Sequence, residues 1–213
     1  MMIDNFLIYL GYAFLFFNLI LYNVSFFRKG KANVFFVCYL IFSFVMQFSM
    51  EMLYRLKITN LLLVNVFFIG QFILLGFFFK SLFTVKNQKR YLLWSLLSGL
   101  LLIIIESIYN YNLFFEFNLF EIILTSLLLV SYAVMHLYNQ LTTEKVYYYI
   151  TIGVIIYMLS STVLFLVGNL TNDLSDEFKY LSWQLNAFLF IVLQLFYLYE
   201  WKVSFYKKSV LHV

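Results

Sequence analysis

The chain has 213 residues, 64% of them hydrophobic and only 11% charged, with a mean hydropathy of +0.92. So few polar side chains cannot clothe a soluble globule of this size, so composition excludes a soluble domain and points to a membrane protein. The net charge of +4 and pI near 9.0 are read as membrane orientation, not as nucleic-acid binding, because basic residues sort to one side of a bilayer.

A transmembrane helix takes about 20 predominantly apolar residues. Seven stretches qualify, at roughly 5–27, 33–54, 61–83, 91–109, 118–138, 146–168 and 181–200. The expected fold is therefore all-α: a polytopic membrane protein whose residues 1–200 form a single seven-helix transmembrane domain, followed by a short basic tail at 201–213.

The first stretch differs from a cleaved signal peptide, because its basic residues Arg28, Lys29 and Lys31 follow the apolar run and no small-residue cleavage site appears. It reads as a retained first helix. The second stretch holds the lone Cys38 among apolar neighbours, which gives no disulfide framework. It also carries Ser43, Gln47, Glu51 and Arg55 at steps of four, a polar stripe closing in an acid and a base one turn apart. The third contributes Asn65. The fourth, LLIIIESIYN at its end, carries Glu106 in line with Ser95, Gly99 and Asn110. In the fifth, Glu121, Thr125, Tyr132 and His136 share one face. The sixth carries Ser160 and Ser161, and the seventh Trp183, Gln184 and Gln194. The longest polar connection is GNLTNDLSDEFKY at 168–180, too short for a soluble domain.

Alternate connections separate the basic residues by side. Arg28, Lys29, Lys31, Lys80, Lys86, Lys89, Arg90, Lys145, Lys202, Lys207 and Lys208 fall on one side, eleven in all, against three on the other, Arg55, Lys57 and Lys179. The positive-inside rule then predicts the N-terminus outside and the C-terminus in the cytoplasm. Most of the acids lie on or near the outer side.

Polar side chains in lipid are costly and turn toward other helices or a cavity. Two readings of Glu106 stay open: an acid snorkelling to the outer headgroups, or one wall of an outward-facing polar pocket. That pocket would combine Glu106 and Glu121 with the Glu51 and Arg55 pair, with Gln47, Asn65, Ser161 and Gln184 alongside. Clustered carboxylates repel unless a cation compensates, so the expected guest is a cation, a proton or an amine-bearing ligand. No metal-ligand spacing is present, and neither metal nor cofactor is expected.

Missing marks narrow the function. A retinal protein needs a lysine in the middle of the seventh helix, and Lys179 and Lys202 stand only at its ends. Histidine-dependent lipid hydrolysis is poorly served by His136 and His212 alone, and no nucleophile and base motif, Gly-rich phosphate loop or paired-aspartate motif occurs. An enzyme is not expected. Carriers commonly break helices with proline, and this chain has none, which also removes the Pro-Gln signature of the PQ-loop sugar carriers.

The segments NVFFIGQFILLGFFFKSLF and WQLNAFLFIVLQLFYLYEWKVSFYKK, with Asn65, Gln71, Trp183 and Asn186 as their polar positions, resemble small uncharacterised seven-helix inner-membrane proteins of Bacteroidetes-type bacteria. The resemblance implies a multi-pass protein of the inner (plasma) membrane, and no defined activity. The expected function is an integral membrane binding or signalling protein, a receptor-like sensor or the membrane subunit of a larger complex. The alternative is a small transporter or channel for cations or amine-bearing solutes. Expected partners are the lipid bilayer and a cytoplasmic or membrane protein docking at Val85–Arg90 or the tail.

Overall fold

The structure, a computed structural model, describes residues 2–29, 32–170 and 176–206, and the side chains of 6–28, 32–169 and 181–205. Lys31, residues 171–175 of the polar connection, and the part of the basic tail at 207–213 with Lys207 and Lys208 lie outside the described residues. The described chain is helical: α1 (Met2–Lys29), α2 (Val34–Arg55), α3 (Leu61–Leu82), α4 (Lys86–Tyr109), α5 (Leu119–Asn139), α6 (Tyr148–Leu170) and α7 (Asp176–Trp201). Among the described residues, seven helices are long and apolar enough to cross a membrane. This matches the only economical way to satisfy backbone groups in lipid, which is within each helix.

Boundaries differ from expectation where polar residues also form helix well. The fourth helix begins at Lys86 instead of 91, because Lys, Gln and Arg are strong helix formers despite their polarity. Most of Val85–Arg90 is thus the first turn of α4 and not a loop. A short 3₁₀ helix, Tyr111–Phe115, follows α4, and a π-helix, Lys202–Tyr206, continues α7.

Local chemistry sets the ends. Asn33 caps α2, its Oδ1 accepting from Phe35 N at 3.0 Å and Phe36 N at 3.4 Å. The same helix closes in a Schellman turn: Ile58 N donates to Leu53 O and Lys57 N to Tyr54 O, both at 3.0 Å, with Lys57 at φ 58°.

The chain packs as two compact units, Met1–Ala32 with Ala133–Val213, and Asn33–Tyr132. In the first, α7 packs on both α1 and α6. Asn18 Nδ2 donates to Gln194 O at 2.8 Å and to its Oε1 at 3.0 Å, Tyr22 Oη donates to Tyr197 O at 2.9 Å, and Trp201 Nε1 donates to Ser25 Oγ at 2.8 Å. Both partner numbers rise together along this seam, so α1 and α7 run parallel.

On the other flank of α7, a Cβ built on Gly153 would lie 2.8 Å from Phe196 Cβ. That atom hangs directly on the α7 backbone, so the two helices would have to part. Small residues permit such close approach between membrane helices. Gly153→Ala is expected to destabilise the protein by about 1–3 kcal/mol, read as a lower thermal midpoint in detergent. An unchanged midpoint would contradict this packing.

In the second unit α3 is central, packed on α2, α4 and the 3₁₀ helix. The first two-thirds of α5, to Tyr132, joins them: the Phe72 and Tyr132 rings stack at 6.4 Å, and Ser95 Oγ and Tyr132 Oη lie 2.8 Å apart. Between α2 and α3, Gln71 Nε2 donates to Tyr39 Oη at 3.2 Å.

Candidate functional site

The predicted pocket residues divide between the units. Gln47, Glu51, Arg55, Asn65, Glu106 and Glu121 belong to the second, and Ser161 and Gln184 to the first. Ser161 is buried and bonds weakly back to Met158 O within α6, at 3.4 Å. Gln184 is half-buried on α7.

Within the second unit, the C-terminal ends of α2 and α4 meet the N-terminal ends of α3 and α5. Glu51 and Arg55 pair with each other there, Arg55 Nε to Glu51 Oε1 at 2.8 Å, and the Arg55 side chain is 62% exposed. An exposed i,i+4 pair contributes a fraction of a kcal/mol. Gln47 lies half-buried one turn earlier on α2.

Asn65, on α3 and 1% exposed, turns its amide onto the connection between α4 and α5. Its Nδ2 donates to Leu113 O at 3.0 Å, Phe114 O at 3.1 Å and Glu116 O at 3.0 Å. These carbonyls lie at the end of the 3₁₀ helix and just beyond it, and Leu113 O also accepts from Glu116 N at 3.4 Å. Asn65 therefore acts as a clamp on the connection, and its donors are committed. Its Oδ1 is buried with no hydrogen-bond partner.

Two residues beyond Glu116, Asn118 links two of the acids predicted to line the pocket. Its Nδ2 donates to Glu106 Oε2 at 3.0 Å, and its Oδ1 accepts from Glu121 N at 3.1 Å. The second bond is an N-cap, and Glu121 sits in the first turn of α5, where the helix dipole favours a negative charge. Glu121 is 2% exposed and its Oε1 has no partner, whereas Glu106 is half-buried. One turn deeper, Thr125 Oγ1 donates to Glu121 O at 2.8 Å, so this hydroxyl is committed to the backbone.

Sequence reasoning chose Glu106 and Glu121 but passed over Asn118, the residue that joins them. Its signal was present in Asn-Leu-Phe-Glu at 118–121, a capping residue three positions before a glutamate at the head of an apolar run.

A second polar cluster, in the first unit, was not expected. Glu200, 2% exposed, accepts from Tyr149 N at 2.8 Å through Oε2 and from Ser204 Oγ through Oε1. It thus caps α6 from the end of α7 while bracing the π-helix. Alongside, Gln140 Nε2 lies 2.6 Å from His136 Nε2 and 2.5 Å from Val146 O. His136 Nε2 lies 2.9 Å from the same carbonyl, so the three groups form one cluster. These bonds hold the residue before Tyr147, which is buried at φ 54°, a region costly for an aromatic residue. The local geometry is that of a brace.

Comparison with protein-family models, with curated proteins and with solved structures finds no match. Seven apolar helices make this a multi-pass membrane protein in a lipid bilayer.

Proposed function

We propose that the protein is a membrane-embedded binding protein, a receptor-like sensor or the membrane subunit of a larger complex, with Glu106, Asn118 and Glu121 as its ligand-facing group. One observation carries this reading: a carboxylate oxygen of Glu121 is buried without a partner beside an asparagine that also holds Glu106. Ionisable groups at such depth are costly and mark function more often than packing. The sorting of basic residues supports an arrangement with this end outside and the C-terminus in the cytoplasm of the plasma membrane. With no soluble domain within the chain given, output would pass through a partner.

Two experiments test the reading. In a Cys38→Ser background, a cysteine at exposed Asn112 is expected to react with a membrane-impermeant maleimide in intact cells, and one at exposed Thr143 only after lysis. The opposite pattern would reverse the orientation. Crosslinking in native membranes followed by purification should retain a specific partner, and repeated recovery of the chain alone would remove the signalling reading. A small transporter for cations or amines is the second reading, favoured by the excess of acids over bases in the cluster. Proteoliposome flux that vanishes in Glu106→Gln would put it first.

A further inference from the structure

We propose that the Glu106, Asn118 and Glu121 cluster binds a small monovalent cation, either an alkali ion or a protonated primary amine, at Glu121 Oε1. The inference rests on the reading of this cluster as the ligand site, and names its ligand class.

The argument is one of donors and acceptors. Asn118 gives an amide N–H to Glu106 and accepts from Glu121 N through its carbonyl oxygen. Asn65, at the neighbouring connection, has used its amide on three carbonyls. Two acceptor oxygens in this part of the unit, Glu121 Oε1 and Asn65 Oδ1, are buried and lack a donor. Neither Glu106 nor Glu121 pairs with a Lys, Arg or His among the described residues. The described ion pair at this end holds Arg55 to Glu51.

A buried carboxylate without a counter-charge is costly, and Asn118 joins Glu121 to the second acid, Glu106. A guest that supplies positive charge and no further acceptor resolves the deficit at Glu121 Oε1. An ammonium group offers three donors and an alkali ion accepts oxygen ligands. Divalent ions fit less well, since among the described residues no three His, Cys, Asp or Glu side chains come together and such ions are held by several carboxylates.

The test uses the purified full chain in detergent, with thermal unfolding followed at constant ionic strength in choline chloride. Sodium, potassium or methylammonium chloride is substituted stepwise. The expected result is a saturable rise in midpoint with one of these cations, lost in Glu121→Gln and shifted at least tenfold in half-saturating concentration in Glu106→Gln. Glu144→Gln, on an exposed loop, should behave as wild type. Whether the alkali ions or methylammonium act decides between the two sources.

Equal midpoints in all salts, with Glu121→Gln as stable as wild type, would mean that Glu121 keeps a proton, and would overturn the proposal. Should Glu121→Gln fail to accumulate, equilibrium dialysis of wild type with labelled sodium and methylammonium decides, and well under one specific ion per chain overturns it. Cation binding without a co-purifying partner keeps this site and removes the signalling reading. A partner without cation binding does the reverse.

Discussion

Replacing Glu200 with alanine is expected to lower the stability of the protein by about 2–3 kcal/mol, the range for losing charge-assisted hydrogen bonds together with a helix cap. The carboxylate is buried and serves both oxygens, one to Tyr149 N at the start of α6 and one to Ser204 in the π-helix. Its loss leaves a backbone N–H at the start of α6 without an acceptor and releases the turn that seats Phe205 against Tyr22 and Tyr147, at ring distances of 5.8 and 6.4 Å. Glu200→Gln keeps one acceptor oxygen but turns an NH₂ toward a donor, so roughly half of that loss is expected. Thermal unfolding of both variants in one detergent checks the order. A glutamine variant worse than the alanine one would show that the carboxylate is not a cap.

The second large effect falls on the other unit. Asn65→Leu keeps the approximate volume of the side chain and removes the donor shared by Leu113, Phe114 and Glu116 carbonyls. Buried acceptors left unsatisfied cost about 1–3 kcal/mol. Tyr111 and Phe115 of the 3₁₀ helix are exposed, so water can reach part of the connection. About 2–3 kcal/mol is therefore expected in total, and chiefly as local opening. Hydrogen exchange should show it as a rise of roughly tenfold to a hundredfold at residues 111–122, since each 1.4 kcal/mol is a factor of ten. Amides of the α1 and α7 seam should be unchanged. Uniform acceleration throughout the chain would place Asn65 in global stability instead. The same variant loosens Asn118 and with it the link between Glu106 and Glu121, so weaker cation protection should accompany the local opening.

These two residues also show how far a sequence carries. Asn65 was legible as a polar side chain with a purpose, because asparagine in lipid demands partners. Its role as a clamp was not, because the partners are carbonyls 48 to 51 residues away. Glu106 and Glu121 were legible as acids on polar helix faces, while Asn118 between them was passed over as the first residue of the fifth span although its capping pattern stood in plain view. The Glu51 and Arg55 pair was legible because helical spacing alone brings i and i+4 together. Glu200 read as an acid at the end of a span. Its partner Tyr149 N lies 51 residues earlier, and no pattern along the chain connects them.

Amino-acid sequence by itself determined the class of molecule and the number of spans. Lipid forces each spanning segment to satisfy its own backbone, so a run of about 20 apolar residues becomes a helix whatever its neighbours do. Only the tertiary structure decided which polar groups meet. Helices that are apolar nearly all round carry little sign of the face they bury. The bonds that define both clusters and the α1 and α7 seam close between helices distant in sequence, where shape and packing, not periodicity, choose the partner.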